Sequence, residues 1–229
     1  MPDSPAISLP AQGKGSSLAR RADLRLGIAV EVVTILWMLA EALVALIAGF
    51  AAHSASLESF GLDSVIELVS GGVLLWRLLA EQGGRAGETL ERVERRASRI
   101  VGLALYALAA YILLNAAFSL LTRAHPDESW AGLALALAAA VVMPILWRVK
   151  LRVARRIESA ALRADAACSV TCAYMSLVLL LGLALTRVFG WWWADALASL
   201  GLLYFVIREG HEALEEAKGH ACACCEAGG

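Results

Sequence analysis

The stretch SASLESFGLDSVIELVSGG, residues 54–72, decides how this chain is read. It is apolar enough to cross a bilayer, yet it carries Asp63 and Glu67 four positions apart. A helix stacks residues i and i+4 on one face. Two carboxylates on one face at membrane depth are costly, and such groups mark ion or substrate paths. A second apolar stretch, 164–186, carries Cys168 and Cys172 at the same spacing. The two stretches are expected to face each other as helices and to hold a divalent metal ion between two oxygen and two sulfur ligands.

Composition sets the class. Hydrophobic residues make up 59% of the 229 positions and charged ones 18%, with a mean hydropathy of +0.67. Soluble domains hold roughly 45–50% apolar residues, so the chain reads as an all-α polytopic membrane protein. A net charge of −1 gives no sign of a nucleic-acid partner. Of the five cysteines, two lie in a span and three in a cluster near the end. That pattern suits ligands better than a disulfide framework.

About 20 apolar residues are needed for one crossing. The sequence supplies six such stretches: 26–51, 56–79, 100–121, 130–147, 164–186 and 191–207. They define a transmembrane domain over 26–208, an N-terminal tail over 1–25 and a Cys-bearing C-terminal tail over 209–229. Between spans, a charged loop is expected at 80–99, with ERVERR as a helical extension, and a basic linker at 148–163. Pro144 is expected to interrupt the fourth span. Of the 20 Lys and Arg, only Arg123 and Arg187 fall on the side opposite the termini. This bias predicts both termini in the cytoplasm and a multi-pass protein of the cell (inner) membrane. Trp76, Trp130, Trp147 and Trp191 to Trp193 sit at span ends, as interfacial aromatics do.

Carboxylate and thiolate ligands together suit zinc in tetrahedral geometry, and thiolates favour zinc, cadmium or another soft ion over magnesium and calcium. An empty site in low dielectric cannot hold several negative charges, so protons occupy it until a cation displaces them. Metal and protons then compete for one place. Glu41 and Asp195 are candidate accessory groups, Glu41 as a proton carrier, a partner to the ligands or a hydrogen-bonded packing residue, and Asp195 as a cap on the sixth helix. Cys222, Cys224 and Cys225 in HACACCE are candidate soft-metal ligands. Glu31 is expected to be hydrated near the cytoplasmic surface. Asn115 is expected to make a helix-packing hydrogen bond, and Gly61, Gly71 and Gly72 to allow close helix approach.

SASLESFGLDSVIELVSGG and ALRADAACSVTCAY (161–174) resemble the second and fifth transmembrane helices of the cation diffusion facilitator family. The resemblance implies a transport site formed by the pair Asp63 and Glu67 and the pair Cys168 and Cys172. Arg163 to Asp165 and the aromatic start of the sixth span with Asp195 also look like the family's. Helix five departs from it, with cysteines where His and Asp are usual, and Glu67 replaces a shorter Asp. The stretch after the sixth span is short for the family's soluble C-terminal domain. The function so implied is efflux of a divalent heavy-metal cation, zinc before others, by metal/proton antiport, with no resident cofactor and no enzymatic step. Its partners are the metal ion, protons and the lipid bilayer, and a homodimer is one assembly it allows. Two alternatives stand beside it: a membrane metal-binding or sensing protein without transport, and a membrane thiol oxidoreductase using Cys168 and Cys172. The spacing disfavours the latter, because i, i+4 residues hold their Cβ atoms about 5–6 Å apart where a disulfide needs about 3.8 Å.

Overall fold

Two serines set where the central helices begin. Ser54 and Ser159 have extended backbones, and their hydroxyls accept from the amides of Leu57 and Leu162. A side-chain acceptor at that position satisfies one of the four orphan N–H groups of a helix start. The computed structural model describes residues 14–83, 88–123, 127, 129–157 and 159–218. Within them lie six helices: α1 Lys14–Ala52, α2 Ala55–Gln82, α3 Glu88–Thr122, α4 Trp130–Ile157, α5 Ala160–Phe189 and α6 Trp192–Lys218. The protein is all-helical and multi-pass.

Several boundaries differ from the sequence reading. Both α2 and α3 run into the expected charged loop, so ERVERR is helical and the connection is confined to about 83–87. The basic linker is instead the end of α4 and the start of α5. Pro144 lies inside an unbroken α4. Proline removes one backbone hydrogen bond, but the helices around α4 hold the segment in place, as they do for many membrane prolines. Helix α6 continues to Lys218, so Glu209 lies within it and not in a tail. Charged residues do not end a helix; they end only the apolar signal by which a span is recognised. Residues 1–13 and 219–229 lie outside the described residues, and with them the reading of Cys222, Cys224 and Cys225.

Among the described residues, four helices are long and apolar enough to cross a membrane: Ala22–Ala52, Arg95–Thr122, Trp130–Ile157 and Asp165–Phe189. The other two, α2 and α6, hold Asp63, Glu67, Asp195 and Glu209, all buried. At 1.5 Å per residue, the 28 residues of α2 are about 42 Å long, which exceeds a bilayer core of about 30 Å. Polar groups therefore face inward, while Leu36, Ile47, Leu114, Phe118 and Val188 are exposed on the outside. This inside-out distribution is what a lipid solvent selects.

The helices pack chiefly as α1 on α2, α4 on α5 and α3 on α6. Contacts of α1 with α4 and of α2 with α5 join the first two pairs, and α3–α6 lies against α2 and α5. The bundle has a basic end, where α1 begins and α6 ends, and a Trp-rich end. At the latter Trp191 stacks between Phe189 and Trp193, and the Arg187 guanidinium lies 3.6 Å from the Trp130 ring centre.

Close approach of α5 and α6 depends on Gly182. A Cβ there would sit 2.3 Å from Ala198 Cβ, so any side chain must push the helices apart. Gly182→Ala is expected to destabilise the protein by about 1–3 kcal/mol, and adding Ala198→Gly should restore most of it, read as the melting temperature in detergent. Gly61 and Gly71 do sit against α1, with a Cβ meeting Leu46 Cγ and Glu31 Oε1 at 2.9 Å. Gly72, expected to do the same, has open space beside it.

Candidate metal centre

One turn of α2 carries Asp63 and Glu67, and α5 brings Cys172 against them. A ligand atom from each lies within 4.8 Å of the others, and all three residues are buried. The Cys172 thiol donates to Glu67 Oε2 at 2.8 Å. Both oxygens of Asp63 and Oε1 of Glu67 are buried with no hydrogen-bond partner. Buried carboxylate oxygens are nearly always satisfied, and leaving one bare costs about 1–3 kcal/mol or more. Three bare oxygens beside a thiol are what a bound cation would satisfy. Two oxygens and one sulfur fit zinc or cadmium, with a fourth position left for water or another side chain.

The other residues singled out from sequence take different places. Cys168 is outside this group. It lies one turn nearer the basic end, on the wall of a cavity it shares with Glu67. Glu41 is fully buried, but both its oxygens are engaged: Ser64 Oγ donates to one at 2.8 Å and Trp37 Nε1 to the other at 2.7 Å. It is an electrostatic neighbour of Asp63 rather than a bare acid. Asp195 does not cap α6 as expected. It sits inside the first turn, and its carboxylate accepts from the hydroxyls of Ser54, at 2.6 Å, and Ser56. It therefore ties the start of α6 to the start of α2 at the Trp-rich end. Asn115 donates to Tyr111, whose own hydroxyl donates to buried Glu58.

Glu31 is the clearest reversal. It is fully buried, not hydrated, and lies 3.4 Å from Lys150 Nζ, which also bonds Asp165. The helix starts at Lys14, so Glu31 is already several turns along it. The triad joins α1, α4 and α5 between the metal cluster and the basic end.

The cavity beside Cys168 offers about 80 Å³ to the centres of water molecules, room for several, since one needs about 10–15 Å³. Its walls come from all of α1, α2, α3, α5 and α6. Besides Glu67 and Cys168 they include Ser98 near the start of α3 and Glu212 near the end of α6, both toward the basic end. Toward the Trp-rich end lie instead the Asp195–Ser54–Ser56 and Glu58–Tyr111 contacts.

A model of the cation efflux transmembrane domain matches residues 32–218, from within α1 to the end of α6. The chain belongs to the cation efflux family. A Synechocystis sp. protein described as an uncharacterized transporter is 32% identical over 170 residues. The matched stretch is 71% of this chain and 54% of the relative, so the chain spans about half that relative's length. In this cation efflux domain the helix-two acids and one of the two helix-five cysteines meet. Sequence reasoning missed Glu209, which is buried in α6 and lines the same cavity.

Proposed function

We propose that this cation efflux protein exports a soft divalent cation, zinc before others, from the cytoplasm in exchange for protons. The observation that carries the reading is the pair of bare, fully buried Asp63 oxygens within reach of Glu67 and Cys172. The positive-inside rule assigns the basic end to the cytoplasm of the cell membrane. The cavity then gives the ion water-filled access from the cytoplasm, while the Ser54–Asp195 contact closes the opposite route. Exposure to the other side requires α2 and α5 to tilt against the α3–α6 pair, as alternating access demands.

Proton coupling follows from the ligand set. Without metal, protons neutralise the acids and the thiol; metal binding releases them. Zinc affinity should therefore rise with pH, and calorimetry in buffers of different ionisation enthalpy should show proton release on binding. A zinc affinity independent of pH would remove the basis for exchange. The direct test of function is zinc flux into proteoliposomes with and without a pH gradient. Zinc that binds but never crosses would assign the protein to sensing or storage.

A further inference from the structure

Glu209 is 7% exposed, and its Oε1 has no hydrogen-bond partner. It lines the cavity together with the free thiol of Cys168 and with Glu67, whose Oε1 is also bare. A buried acid with one unsatisfied oxygen, on the wall of a cavity it shares with a thiol, carries a large desolvation cost. The same reasoning that applies to Asp63 applies here, one turn nearer the basic end and on a different helix.

The geometry points to a second cation site, made by Cys168 of α5 and Glu209 of α6, that takes a soft divalent ion from the cytoplasm before it reaches the inner cluster. Glu67 borders both places: Oε2 accepts from Cys172, Oε1 is buried without a partner, and the residue lines the cavity. It can pass the ion from the outer pair to Asp63 without the ion losing all its protein ligands at once. The mixed oxygen and sulfur donors select against magnesium, the abundant competitor, at the point of intake. The ordering of the two sites rests on the inner cluster being the transport site; the existence of the outer site does not.

Cadmium binding to the full chain in detergent separates the two. Changing Cys172, Cys222, Cys224 and Cys225 to Ser, together with Asp63→Ala, disables the inner cluster and leaves Cys168 as the remaining one of the five thiols. This protein should still bind one cadmium ion, give cadmium–thiolate ultraviolet absorption, and react more slowly with a maleimide when cadmium is present. Adding Glu209→Gln should weaken that binding by at least about tenfold, the loss that even an outer-shell partner produces. Absence of the thiolate absorption, or an affinity unmoved by Glu209→Gln, overturns the proposal. A second route leaves the inner cluster intact: with Cys222, Cys224 and Cys225 changed to Ser and Asp63 and Cys172 present, adding Cys168→Ser should lower the cadmium count from two to one. A count of one before that change, abolished by Asp63→Ala, sinks the outer site and leaves the inner one standing. A count unchanged by Asp63→Ala but lowered by Cys168→Ser supports the outer site and sinks the inner.

Discussion

Proteoliposomes carrying Asp63→Asn should show zinc flux at least about a hundredfold below the unsubstituted protein, at the upper end of what loss of a supporting partner alone produces. Asparagine keeps the volume and the helix, so a loss reports the charge and not the shape. Glu67 and Cys172 remain, but they already share a hydrogen bond at 2.8 Å and would have to hold the ion with two donors. The same substitution should affect stability in the opposite direction. Both Asp63 oxygens are buried and unpartnered, and the amide that replaces them carries no charge and brings N–H donors for the neighbouring Glu67 carboxylate, which lowers the cost of crowding two buried acids. The metal-free Asp63→Asn protein should melt no lower than the parent, and it should lose the upward shift that zinc confers on the parent through binding to the folded state. Flux retained in Asp63→Asn would place the ion elsewhere. Lost flux with a lowered metal-free melting point would make Asp63 a structural residue.

Lys150→Met should be the most destabilising single change in the bundle. The lysine is fully buried between Glu31 and Asp165, donating to Asp165 and lying 3.4 Å from Glu31 as an ion pair. Removing it strands a fully buried Glu31 against a second carboxylate. Breaking a buried pair from one side costs about 3–5 kcal/mol, whereas replacing both partners by groups of similar size is often neutral. The single variant should therefore express poorly or melt far below the parent. Lys150→Met combined with Glu31→Gln and Asp165→Asn should recover most of the loss. If the combined variant is stable yet transports slowly, the triad also serves movement, since it pins α1 and α4 to α5 near the cavity. Equal melting points for Lys150→Met and the parent would show that the three groups do not hold the helices together.

Much of this arrangement is legible in one dimension because a helix has a fixed period. Asp63 and Glu67 had to share a face, and apolar runs of that length had to become spans. The inward direction of the acids followed from the cost of putting a charge against lipid. Three features were not legible. Cys168 shares its face with Cys172, yet two crossing helices touch over a limited length, so one cysteine meets α2 and the other the cavity. Glu31 looked hydrated because the span was counted from the first apolar residue, although the helix begins at Lys14. Glu209 was set aside because Arg208 and Glu212 end the apolar run. A helical stripe of Val206, Gly210, Ala213 and Ala217 continues past it, and that spacing was the available signal.

Sequence by itself settled the class of the protein and the six helices seen among the described residues, and it singled out the two i, i+4 pairs on the second and fifth of them. These depend on hydrophobicity and on the period of one helix, both local properties. Which atoms meet was decided only by tertiary structure. The distance between groups on separate helices depends on crossing angle and on close contacts such as Gly182 with Ala198, and neither is written in the spacing along the chain. For that reason Asp63, Glu67 and Cys172 form one cluster, while Cys168 lines a cavity with Glu209.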